Sequence, residues 1–187
     1  TYLSDAIKGT ADAATLTVSN LTAGTFTSQG IETLTINSEL TKSTVAAVVS
    51  TSLNKLVVTG DKDLEITAAV DFKDGTNGDT TIDSTVDASA FTGGLTVTAE
   101  AMDQSITTGS GADTINMVGT LNKYDTVDGG AGTDTLSMTA TSITTQFDNV
   151  SNIEVLSIND GIAAVTVPAD KLSAGITEII LDANDQT

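Results

Sequence analysis

One short pattern recurs along the chain, two apolar residues flanking a single polar one, and it limits the fold more than any other feature. With a further apolar residue three positions upstream it reads Ile31-x-x-Leu34-x-Ile36, Leu53-x-x-Leu56-x-Val58, Ile153-x-x-Leu156-x-Ile158, Ile162-x-x-Val165-x-Val167 and Ile176-x-x-Ile179-x-Leu181. Shorter copies are Leu16-x-Val18, Leu64-x-Ile66, Leu95-x-Val97, Ile115-x-Met117 and Leu136-x-Met138. Alternation over so few residues describes strands of about 3 to 5 residues with one buried face. Between copies lie about 8 to about 22 residues rich in Gly, Asn, Asp, Ser and Thr, which form turns and corners rather than helices. One strand motif repeated at each turn of the chain predicts an all-β fold, a parallel β-solenoid of the β-helix or β-roll kind, in which each coil is stabilised by stacking on its neighbours. A β-sandwich with irregular loops would also alternate in this way. The near-copies Ile31-Glu32-Thr33-Leu34-Thr35-Ile36 and Ile153-Glu154-Val155-Leu156-Ser157-Ile158 favour the solenoid.

Composition supports strands and removes much chemistry. Of the 187 residues 35 are Thr, aromatics are 3%, Trp is absent and Pro168 is the sole proline, so extended ladders of Thr, Val and Ile run uninterrupted. Two stretches have helical spacing: Lys42 to Leu53, where β-branching lowers the propensity, and Ala169 to Leu172 after the proline. With neither His nor Cys there is no Ser-His-Asp triad, no thiol nucleophile and no zinc site of the usual N/S type. Hard, oxygen-seeking cations remain. The 25 Asp and Glu outweigh 7 basic residues, all of them Lys, for a net charge of −18. No guanidinium fork is present to clamp phosphate, and the acidity argues against nucleic acid or an anionic membrane as partner. No run approaches the roughly 18 apolar residues that would insert in a membrane. The chain opens at Thr1-Tyr2-Leu3-Ser4 without Met or an apolar leader, from which we expect a piece of a longer protein.

Residues 108–137 differ in kind from the rest. Gly129-Gly130-Ala131-Gly132-Thr133-Asp134-Thr135-Leu136-Ser137 satisfies every fixed position of the nonapeptide G-G-x-G-x-D-x-U-x, where U is a large apolar residue. Thr108-Gly109-Ser110-Gly111-Ala112-Asp113-Thr114-Ile115-Asn116 satisfies all but the first, and Asp125-Thr126-Val127-Asp128 keeps only the second half. The glycines permit positive φ and let carbonyl oxygens approach one centre, the sixth-position Asp adds a carboxylate, and the apolar eighth position starts a strand. If each nonapeptide is half a coil, the first and third stack about 4.8 Å apart and bring Asp113 to Asp134. Two carboxylates about 4 Å apart repel by roughly 4 kcal/mol at an effective dielectric of 20, and a Ca²⁺ between them reverses the sign. Calcium accepts 6 to 8 oxygens at about 2.3 to 2.6 Å, whereas Mg²⁺ demands a tighter octahedron.

This segment resembles the RTX family, the calcium-binding β-rolls of bacterial proteins exported by type I secretion. The resemblance implies Asp113 and Asp134 as ligands, with carbonyls from Thr108, Gly109, Ser110 and Gly111 and from Gly129, Gly130, Ala131 and Gly132. Asp125 would serve the opposite edge, with Asp128 beside it and Asp103 facing it. Asp79, in the Gly/Asp stretch Asp74-Gly75-Thr76-Asn77-Gly78-Asp79, is a further candidate. The match departs in two places. Asp113 to Asp125 spans 12 residues instead of nine, so a bulge is expected at Met117-Val118-Gly119, and Leu121-Asn122-Lys123-Tyr124 replaces the glycines of the middle turn. The flanking stretches Asp87-Ala88-Ser89-Ala90-Phe91-Thr92-Gly93-Gly94-Leu95-Thr96-Val97 and Val150-Ser151-Asn152-Ile153-Glu154-Val155-Leu156 are similar to type I secreted surface-layer proteins of Gram-negative bacteria.

The expected organisation is one continuous unit: a Thr-rich solenoid over 1–107, the calcium-binding turns over 108–137, and a continuing solenoid over 138–187. The expected role is a structural module of a secreted coat on the bacterial cell surface. Calcium would be the folding ligand, self-association into a homo-oligomeric lattice the assembly mode, and a cell-surface polysaccharide a partner of other domains. The alternatives are an adhesion module using a Thr-rich face to hold a glycan, ice or a partner surface, and a secretion appendage of an enzyme. Catalysis by the chain itself is not expected, since its carboxylates lack Arg, His or an aromatic platform for a sugar.

Overall fold

A computed structural model describes residues 9–73, 75, 78, 81–117, 121–139, 145–159, 166–167 and 175–181. Among them are sixteen strands, numbered β1 to β16 in chain order, and one 3-10 turn, Thr145–Phe147. Every strand pairing is parallel, which excludes the sandwich and makes the chain a β-solenoid.

One seven-stranded sheet stacks β1 (Ala13–Val18), β3 (Thr33–Ser38), β6 (Lys55–Gly60), β8 (Ser84–Asp87), β10 (Gln104–Thr107), β12 (Thr126–Asp128) and β14 (Val150–Ser151). The second stacks β4 (Ser43–Val45), β7 (Leu64–Ile66), β9 (Leu95–Thr98), β11 (Thr114–Asn116), β13 (Thr135–Met138), β15 (Val155–Ile158) and β16 (Glu178–Leu181). A short third side, β2 (Thr25–Ser28) on β5 (Ala47–Ser50), serves only the early rungs. From β8 to β15 the chain alternates between the two long sheets, so each of these strands is half a coil. The Lys42–Leu53 stretch with helical spacing forms β4 and β5, since Val and Ser on a stacked ladder gain more than a β-branched helix offers. Ala169–Leu172 lies outside the described residues.

The core is a set of columns. Leu34, Leu56, Val86, Ile106, Val127 and Val150 sit one above another in the first sheet. Val97, Ile115, Leu136, Leu156 and Ile179 do so in the second. Phe91, fully buried, and Phe72 join this core from the chain between strands. Because each column repeats one kind of side chain at strand spacing, identical corners also fall above one another, and this is what assembles the site.

Candidate metal centre

Two registers define the centre. Thr107 pairs with Asp128 at the end of one strand layer, and Thr114 with Thr135 at the start of the next. The turn Thr108–Asp113 therefore lies directly under the turn Gly129–Asp134, residue for residue. The turns approach so closely that side chains are excluded: a Cβ on Gly130 would lie 2.2 Å from the Gly109 carbonyl oxygen, and one on Gly132 would lie 2.0 Å from that of Gly111. Both upper glycines also have positive φ, 79° and 138°. The carbonyls point along the stack. Gly109 accepts from the Ala131 N–H at 2.8 Å, and Gly129 accepts from the Thr108 hydroxyl at 2.7 Å. Ser110 N–H donates to Phe91 O in the rung below, at 3.0 Å.

Asp113 and Asp134 occupy the same position in successive rungs and are both buried, at 1% exposure. They interlock through amides. Leu95 N–H donates to Asp113 Oδ1 at 2.7 Å, Asp113 N–H to Asp134 Oδ1 at 2.9 Å, and Asp134 N–H to Glu154 Oε2 at 2.9 Å. Each acidic side chain thus clamps the backbone of the rung before it, a charge-assisted bond shielded from water. The second oxygens differ. Asp113 Oδ2 accepts the N–H of Gly109 in its own turn at 3.2 Å. The equivalent N–H, that of Gly130, donates instead to Asp128 Oδ1 at 3.0 Å. Asp128 stands where the lower rung has Thr107, so it takes the amide and leaves Asp134 Oδ2 buried without a hydrogen-bond partner. Burial chiefly pushes the Asp134 carboxyl up to about 6, and the charges of Asp113, Glu154 and Asp128 push the same way against the Asp113 amide.

The opposite edge brings Asp103 and Asp125 together, both fully buried. Asp125 accepts from Gln104 N–H and Asn122 N–H, each at 2.8 Å, and Asp103 Oδ1 accepts from the Asn122 side chain at 2.7 Å. Gly78 N–H also reaches Asp103, at 2.9 Å from Oδ1. Asn122, in the turn that lacks glycines, is therefore a side-chain bridge between the two carboxylates. Burial is the main cause raising the Asp125 carboxyl above its usual range. Asp79 and the expected bulge at Val118-Gly119 lie outside the described residues.

The donor chemistry suits a hard cation: every side-chain ligand on offer is an oxygen, and one carboxylate oxygen is buried with nothing to accept. Among the described residues no three carboxylates converge as a ligand group, so a cation here would need backbone carbonyls as well. The nonapeptide pattern names Asp113, Asp134 and the carbonyls of the two turns as the residues that would hold it; of the two carboxylates Asp134 keeps an oxygen without a partner, whereas both Asp113 oxygens accept amides. Glu154, Asn122 and the competition from Asp128 are not marked by the nonapeptide pattern. For Glu154 a signal was present in the repeated Ile-Glu-x-Leu. Glu32, its counterpart, accepts the Asp12 N–H at 2.7 Å in the same rung-clamping role.

Comparison of the chain with protein-family models, with curated proteins and with solved structures finds no match.

Proposed function

We propose that this chain is a calcium-stabilised structural module, a β-solenoid whose glycine turns hold Ca²⁺ and whose role is mechanical rather than catalytic. The observation that carries the reading is Asp134 Oδ2, an unpartnered carboxylate oxygen in a buried turn crowded with negative charge. Such a group costs stability unless protonated or met by a cation. When bound, Ca²⁺ supplies two positive charges and a demand for many oxygens. The chain's own residues do the rest: the glycines allow the rungs to close on one another, and the acidic clamps fix the turn backbone. Binding to the folded state alone adds RT ln(1 + [Ca]/Kd), about 4 kcal/mol at a thousandfold excess over Kd. For a chain of net charge −18 with a thin core, that linkage makes the fold marginal in low calcium and firm in high calcium.

The similarity of its motifs to RTX and surface-layer proteins supports placing the module in a secreted, self-associating bacterial coat. A second reading, an adhesion module, is favoured by one feature. Thr96, Thr114 and Thr135 form an outward rank on the second sheet, with Thr98 and Asn116 beside them, and none of these is charged.

The deciding experiment is a calcium titration of the 187-residue protein followed by circular dichroism and thermal melting. We expect calcium to raise the melting temperature and a chelator to reverse the rise, with Asp134→Ala abolishing the response and Asp61→Ala retaining it. An unchanged melt in calcium and chelator would refute the reading. Imaging with calcium separates the two roles: periodic sheets favour the coat, and glycan or ice affinity without sheets the adhesin.

A further inference from the structure

The unpartnered oxygen of Asp134 is on the far side of its turn from Asp113, and the rung it meets there is unlike a glycine turn. Asp128 registers with Ser151 and Thr135 with Val155, so the six residues Gly129–Asp134 are faced by only Asn152, Ile153 and Glu154. The short corner is made possible by Asn152, which adopts a left-handed φ of 52° and whose side-chain amide donates to Asp128 Oδ1 at 2.7 Å. That conformation is unfavourable for a residue with a Cβ and tolerated best by Asn. It brings the Asn152 carbonyl against Gly129. A Cβ on Gly129 would lie 1.9 Å from Asn152 O and 2.9 Å from Asp134 Oδ2, so the two oxygens flank one point beside the glycine. They are thus within about 5 Å of each other, the span that a Ca²⁺ bridges with two bonds of about 2.3 to 2.6 Å. On the other side of the turn both Asp113 oxygens and Asp134 Oδ1 already accept amides.

We propose that the chain holds its cation between the second glycine turn and the rung that follows, on Asp134 Oδ2 and the Asn152 carbonyl oxygen. Asp128 and Glu154 supply the surrounding negative charge. The placement rests on the calcium reading above and sharpens it: the ion ties the glycine turns to the C-terminal rungs instead of tying the two glycine turns to each other. Glu154 and Asn152 belong to no nonapeptide, so the motif alone does not reveal them.

The test is calorimetric titration of the whole chain with Ca²⁺, for the unaltered protein and for Asp128→Asn, Glu154→Gln and Asp113→Asn. Asp128 and Glu154 each accept their backbone bond on one oxygen, which the amide keeps; Asp113 accepts on both, so Asp113→Asn keeps the Leu95 bond and gives up that of Gly109. Circular dichroism in chelator checks that each variant folds like the parent. We expect Asp128→Asn and Glu154→Gln to weaken binding about tenfold or more each, since affinity follows the charge around the ion, and Asp113→Asn to weaken it by less than about threefold. Crystals of the unaltered protein grown in calcium should carry anomalous density within bonding distance of both Asp134 Oδ2 and Asn152 O, a readout that needs no variant to fold. Density between the turns of Asp113 and Asp134 alone, or Asp113→Asn as the most damaging substitution, would overturn this placement and leave the calcium reading standing. No calcium uptake by the unaltered protein would overturn both.

Discussion

Asp134 is where a single group governs how stability responds to acid. Its carboxyl is held near 6 in the folded chain against 3.8 when free, so the folded state binds a proton more tightly than the unfolded one between those values. In metal-free buffer its contribution is therefore present at low pH and lost as pH rises from about 3.8 through about 6. Asp87 has the opposite sign, since hydrogen bonds from Ser89 and then Lys55 hold its carboxyl low, and its contribution fades on acidification. We predict that in chelator Asp134→Asn melts above the unaltered protein at pH 7.5, and that the difference shrinks as pH falls toward 4. A constant difference across that range would mean that Asp134 does not titrate in the fold as described. The pairing of Asp113 with Asp134 was legible in the sequence because two nonapeptides place one carboxylate each at the same offset. Their inequality was not, because it arises from position 128, where Asp replaces the lower rung's Thr107 and takes the Gly130 amide.

At the scale of the strand, the same distinction between visible and hidden follows burial chemistry. Strands with two apolar residues facing inward, such as β3 with Leu34 and Ile36 or β6 with Leu56 and Val58, show the period directly. Those with one are disguised because their other inward position is polar: Ser84 in β8, Gln104 in β10, Ser43 in β4. Gln104 is buried because its amide reaches Ser84 Oγ in the rung before, at 2.7 Å, so a hydrogen-bonded polar column stands in for an apolar one. Each such strand then hangs on its single apolar anchor. Ile106 of β10 is fully buried between Val86 and Val127. Ile106→Ala is predicted to cost about 2 to 5 kcal/mol in urea unfolding, because neighbours fixed in a ladder cannot collapse into the void. Thr107→Ala, one residue on and pointing outward, is predicted to stay within about 0.5 kcal/mol. Similar losses from the two would show that β10 does not bury the face assigned to it.

For the whole molecule the decisive property is that each rung contacts only its neighbours, which makes the solenoid close to a one-dimensional chain of coupled units. Its ends are less well packed than its middle. Ile179 and Leu181 of β16 continue the core columns above Leu156 and Ile158, yet they are 42% and 58% exposed, whereas Ile115 and Leu136 are fully buried. In chelator, hydrogen exchange is therefore expected to start at β1 and β16 and to reach the rungs of β9 to β13 last. A cation in the glycine turns adds free energy at one place in this chain, and nearest-neighbour coupling passes it on with loss at each step. Calcium is predicted to slow exchange most in β12 to β15, less in β8 to β11, and least in β1 and β3, as read by mass spectrometry of proteolytic fragments. Equal slowing in every rung would instead mean that the stack folds as one cooperative block, with the ion acting on the unfolding of the whole. Slowing confined to the N-terminal rungs would place the ion elsewhere. With a cation between the β12 and β14 rungs, β16 would lie one rung beyond it in the second sheet, and its exposed Ile179 and Leu181 are expected to keep exchanging fastest among the described strands on that side.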